Sequence, residues 1–132
     1  MPAYSKRMHQ AIANYIGAGT QMPTPPTSLV LALSSGDPKD DMSSLAEPTG
    51  GYARQAISVA LSPGPGGGTR ITITSPVIFG VVTGADWPQI THGVIFDQAG
   101  NPIAFGPLGI QRVAPVGDSV SFLANAVQFT IK

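Results

Sequence analysis

The sequence predicts a mostly β protein, an antiparallel sandwich or barrel of jelly-roll type with one short N-terminal helix. Three observations lead there. From Ser28 onward apolar and polar residues alternate in short runs, Gly, Pro and Asp turn chemistry separates the runs, and helical spacing is confined to one segment near the start. Strands this closely spaced, with no helices between them, form an antiparallel sandwich or barrel rather than a parallel sheet.

The helix comes first. Met8, Ala11, Ile12, Tyr15 and Ile16 recur at helical spacing between Ser5, placed to cap the start, and Gly17 and Gly19, placed to stop it. The following stretch, with Pro23, Pro25 and Pro26, cannot continue a helix and lacks donors for a sheet ladder, so it reads as an extended connector. Residues 1–26 are therefore expected to be a helix and Pro-rich arm, and residues 27–132 the β domain.

The period then becomes two. Leu29, Leu31 and Leu33 share one face; Ile57, Val59 and Leu61 alternate with Ser58 and Ala60; Ile71 and Ile73 alternate with Arg70, Thr72 and Thr74. Further strands are expected over Val77–Val82, Thr91–Phe96, Pro102–Phe105, Ile110–Val113, Val120–Leu123 and Val127–Ile131. Turns are expected at Gly36-Asp37-Pro38, Gly50-Gly51, Ser62 to Gly68, Gly84, Gln98 to Pro102, Gly106-Pro107 and Gly117-Asp118.

Composition narrows the function. Of 132 residues 42% are hydrophobic and 11% charged, which argues against disorder and leaves a neutral polar surface that does little to repel other proteins. Seven Lys plus Arg balance seven Asp plus Glu, and the basic residues are scattered, so no nucleic-acid partner is expected. The absence of Cys excludes a disulfide framework, a thiolate zinc site and a cysteine nucleophile. No apolar run approaches the roughly 20 residues of a membrane-spanning helix, and no signal-peptide core is evident. The chain reads as a cytosolically made soluble protein.

The candidate chemistry is thin. Gly64 to Arg70 is rich in Gly but lacks the Gly-Lys-Ser/Thr ending and the helix of a phosphate loop, so it reads as a hairpin loop. Asp37, Asp40 and Asp41 cluster near Glu47 without matching a calcium-loop spacing, and Asp37 suits an Asx turn ahead of Pro38. His92 could be imagined in a triad with Asp97 or Asp118 and a serine, but no nucleophile elbow accompanies it, and a structural histidine is the expectation. Trp87, Tyr52, Phe96, Phe105, Phe122 and Phe129 read as core rings. No catalytic residue, metal ligand or cofactor is expected.

Four segments carry a resemblance over nearly the whole chain: Pro26-Thr-Ser-Leu-Val-Leu-Ala-Leu33 with Gly36-Asp37-Pro38; Gly50-Gly-Tyr-Ala-Arg-Gln55; Asp86-Trp87 with Ile90-Thr-His-Gly-Val-Ile-Phe-Asp97; and Gly117-Asp-Ser-Val-Ser-Phe122. In this order they resemble small phage proteins labelled tail-fibre or virion structural proteins, although Gly93 directly after His92 leaves out a residue that is usually large. The resemblance implies a non-enzymatic virion protein. The favoured role is capsid decoration, bridging subunits of the major capsid protein; the alternative is a tail-fibre or tail-tip module binding a host surface. Homo-oligomers and contacts with other virion proteins are expected, through the helical stripe of Met8, Ile12, Tyr15 and Ile16 and through Arg54. Arg54 reads as lying in an otherwise apolar strand, either as a solvated outward charge or in a structural role with Asp97 or Asp86, its guanidinium tying loops or a neighbouring chain by bidentate bonds.

Overall fold

A computed structural model describes residues 3–19, 21–22 and 25–131; Pro23, in the expected connector, lies outside the described residues. The order is β1 (Ala3–Tyr4), α1 (Lys6–Gly17), β2 (Leu29–Ser34), β3 (Gln55–Ile57), β4 (Val59–Pro63), a single 3-10 turn (Pro65–Gly67), β5 (Thr69–Ile73), β6 (Val77–Ile78), β7 (Trp87–Asp97), β8 (Pro102–Ala114), β9 (Ser121–Phe122) and β10 (Gln128–Ile131). Every pairing is antiparallel. A five-stranded sheet runs β1-β8-β7-β2-β3, a three-stranded sheet β10-β5-β4, and a two-stranded ribbon β6-β9.

Alternation explains how these layers meet. Leu31 and Leu33 of β2 join Ile71 and Ile73 of β5, Phe129 and Ile131 of β10, and Phe79, Phe122 and Trp87 in one large core. Ala32 points to the opposite face and meets Val94, Phe96 and Phe105, with Met42 and Leu45 of the loop after β2 packed over them. The central sheet is thus covered on both faces, and the arrangement is sandwich-like, mostly β, with one short N-terminal helix.

The helix starts where the sequence places it. The Ser5 hydroxyl accepts from the Met8 N–H at 3.3 Å, an N-cap bond, and donates to the Pro102 carbonyl at 2.7 Å. The Ser5 N–H donates to Ile103 O and the Lys6 N–H to Asp40 O. Ahead of Ser5, β1 pairs Ala3 with Phe105 and Tyr4 with Ala104, extending the sheet by an edge strand that the sequence pattern does not announce. Gly19, at φ +67, follows the helix end.

Several strands differ from expectation; of the one expected over Val77–Val82, only Val77–Ile78 is strand. The run Ile57–Leu61 is two strands, since β3 pairs with β2 while β4 pairs with β5, and the chain passes from one sheet to the other at Ser58. The corner is held by Thr74 N–H donating to the Ser58 carbonyl and by Ser58 N–H donating to the Ser75 hydroxyl. Gly106-Pro107 is not a turn: Gly106 and Pro107 lie opposite Gly93 and His92, so the two expected strands on either side of them form the single strand β8. Its largest irregularity comes later, where Leu108 to Gln111 bulge between the His92–Pro107 and Ile90–Arg112 pairs, with smaller shifts between Trp87 and Ile90 and between Ile95 and Phe96. A proline fits at 107 because β1 reaches only Ala104 and Phe105, leaving this part of β8 with a ladder partner on one side among the described residues. Finally, β7 begins at Trp87 rather than Thr91.

Candidate interaction surface

The Gly50–Arg54 segment builds an interlocked corner. Gly50 and Gly51 have φ of +91 and +78, and a Cβ on either would lie about 2 Å from a backbone oxygen, that of Thr83 or of Val81. Glycine is required for conformation and for space alike. That close approach lets the Gly50 carbonyl accept from Trp87 Nε1 at 2.9 Å and sets Tyr52 parallel to Phe79, with ring centroids 5.9 Å apart. Tyr52 also meets Trp87 edge-on at 5.7 Å.

The Tyr52 hydroxyl closes a polar network. It accepts from the Leu33 N–H at 3.1 Å, just beyond the last β2–β3 pair at Leu31, and donates to Glu47 Oε1 at 2.7 Å. Arg54 then grips the same carboxylate with Nε at 2.8 Å and Nη2 at 3.1 Å, while its guanidinium lies 3.9 Å from the centre of the Phe96 ring. The expected bidentate tie between loops therefore exists, but its partner is Glu47 and neither Asp97 nor Asp86. Asp97 instead accepts from the Ala99 and Asn101 N–H groups of its own turn, and Asp86 accepts from Val116 N–H. Arg54 also lies ahead of β3 rather than in a strand. Burial pushes the Glu47 carboxyl up, yet Arg54 and Tyr52 outweigh it and hold the group below its ordinary value. Burial, followed by the Glu47 carboxylate, pushes the Tyr52 hydroxyl upward.

The helical stripe is the opposite case. Met8 is half-buried beside the sheet, but Ile12 is 37% exposed, Tyr15 59% and Ile16 76%, rising toward the free end of α1. At the anchored end, Met8, Met22, Pro25, Pro26 and Ile103 line an apolar cavity of about 270 Å³ rimmed by Arg7 and Asp97. Four of the five expected contact residues thus share one helix, whereas Arg54 belongs to the corner and spends its fork within the chain.

The other singled-out residues have local structural explanations. Asp37 accepts from Lys39 N–H at 2.9 Å, the Asx turn expected around Pro38. His92 Nδ1 lies 2.8 Å from the Thr91 hydroxyl, and burial lowers its pKa. Among the described residues no three His, Asp or Glu side chains are grouped as a metal site. Phe96, Phe105, Phe122, Phe129 and Trp87 are buried. The Gly-rich segment is a hairpin loop closed by Gly64 N–H donating to Gly68 O at 2.7 Å. No helix among the described residues is long and apolar enough to cross a membrane.

Sequence spacing misses the Glu47–Tyr52–Arg54 network. It also misses Leu61, whose alternation assigns it to the covered face and which is 69% exposed. A family model described as Podophage GP4 fiber I protein gp80 matches residues 3–130, nearly the whole chain, and no curated protein matches. The chain belongs to that family.

Proposed function

From this family membership we propose that the protein is a structural subunit of a virion fibre and that residues 1–26 attach it to a neighbouring virion protein through α1. The observation that carries the reading is the exposed stripe of Ile12, Tyr15 and Ile16 on a helix fastened at its other end by Ser5. A helix laid into a groove uses such i, i+3, i+4 anchors. Fastening at one end presents those side chains in a fixed direction and so lowers the ordering cost of docking.

Capsid decoration is the second reading, with the major capsid protein as partner. It is favoured by the sandwich itself: the described residues contain no long helix to build a shaft, and a single small β domain suits repeated placement on a shell. Quantitative mass spectrometry of purified virions separates the two. A fibre or tail component should be present in about three to a dozen copies, as expected for a closed symmetric assembly at one location. Hundreds of copies would overturn the fibre reading in favour of decoration. Detection in cell lysate but not in purified particles would overturn both.

A further inference from the structure

The β4 edge of the three-stranded sheet is open among the described residues. β4 pairs with β5 over its whole length, Val59 opposite Ile73 through Pro63 opposite Thr69, and no strand pairs with its other side among the described residues. Ala60, Leu61, Ser62 and Pro63 are all exposed. Edge strands are commonly protected by charges, prolines, bulges or covering elements; β4 has no charged residue and no bulge, and its one proline, Pro63, stands at its last position.

The direction of its free backbone groups follows from the ladder. Thr74 donates to Ser58 and Gly64 donates to Gly68, so the even-numbered residues of β4 face β5 for hydrogen bonding. Ile73 confirms the alternation, because its N–H and C=O bond to Val127 and Asn125 on the opposite side of β5. The odd residues Val59, Leu61 and Pro63 therefore turn their backbone groups outward. The outward row holds two N–H donors, on Val59 and Leu61, and three carbonyls, since Pro63 has no N–H.

That row is self-complementary. We propose that β4 is an interface at which a second copy of this chain pairs antiparallel, about a twofold axis through Leu61. Leu61 N–H then donates to Leu61 O of the second copy, and Val59 N–H to Pro63 O, with both bonds repeated by symmetry. Every outward donor is used, and the missing N–H of Pro63 falls at the end of the ladder. The side chains agree: Leu61 lies opposite the buried Ile71, on the core-facing side of the sheet, yet its own core leaves it 69% exposed. Pairing brings the two Leu61 side chains together on that face, with no charge in the strand to repel them. The two three-stranded sheets become one of six strands. This interface holds whether the protein sits on a fibre or a shell, and its test needs no virion.

Sedimentation velocity of the full chain should show a concentration-dependent dimer in the micromolar range. Leu61→Lys sets two like charges face to face and should weaken the dimer at least about tenfold. Leu61→Pro removes the central outward donor without touching a bond to β5, and should also give monomer. Circular dichroism that matches the parent shows that each variant remains folded, and a variant that unfolds leaves the other to decide. Because the chain has no Cys, pyrene on Leu61→Cys reports this position alone: excimer emission is expected there and not on Leu123→Cys. A parent monomeric at about 100 μM, folded variants that still dimerise, or a dimer without the Leu61 excimer would each overturn the proposal.

Discussion

The corner around Tyr52 and the outer half of α1 are built from similar material and end in opposite states. Each contributes large apolar side chains, of aliphatic or aromatic type at the helix and a tyrosine at the corner. At the corner every group is answered: the Tyr52 ring by Phe79 and Trp87, its hydroxyl by Leu33 and Glu47, and Arg54 by Glu47 and Phe96. On α1, Ile12, Tyr15 and Ile16 are answered by solvent. The difference separates two uses of apolar surface. Burial within the chain secures the fold, whereas surface left open is available to a partner, and substitutions in the two places should have different consequences.

The strongest test of that separation lies in the core beside the corner. Phe122→Ala or Phe129→Ala removes a buried ring and should cost about 3–5 kcal/mol, a large part of a marginal domain's stability. Thermal unfolding measures it, and a parent-like midpoint would mean that the core does not depend on these rings. Tyr52→Phe keeps the stacked ring but leaves the buried Leu33 N–H without its acceptor, so a loss of about 1–3 kcal/mol is expected in denaturant titration.

Acid should reach the corner next. The folded pKa of Glu47 lies below its ordinary 4.5, so the stabilisation it contributes is complete above that value and is lost as pH falls through the lower folded value. The unfolding midpoint of the parent should therefore drop on acidification from about pH 5 to pH 3, and Glu47→Gln should flatten that drop. An identical acid profile in the variant would remove Glu47 from the account.

The smallest change in stability, and the largest in assembly, is expected on the helix. Ile12→Ser with Ile16→Ser alters exposed side chains and should move stability by less than about 0.5 kcal/mol per site, while incorporation into virions falls. Full incorporation of this variant would show that the open stripe is not the attachment face.

What the sequence reveals depends on how far each determinant reaches along the chain. The Ser5 cap, α1, the Asp37 turn and the alternation of β2, β5 and β10 depend on neighbours within a few residues, and all are legible. Alternation continues straight through Ser58, so it cannot show that the chain changes sheets there. For the same reason it assigns Leu61 to a face without showing whether the opposing layer extends over it. Arg54 reads as a structural arginine, but its partner depends on how the loop after β2 folds back, and Glu47 has no spacing signature. The two-residue β1 carries no period at all; its identity as a strand resides in β8.

That last dependence has a kinetic side. The hydrogen bond from Ser5 to Pro102 spans 97 positions, and β1 pairs with strand residues equally remote. During synthesis the first residues emerge long before their partners exist, so α1 can form its own turns but cannot be fastened until β8 has left the ribosome. Long-range closures of this kind are slow because chain entropy must be lost before any contact rewards it. The helix with the open apolar stripe is thus oriented late, and its presentation in a fixed direction becomes a marker of a finished subunit.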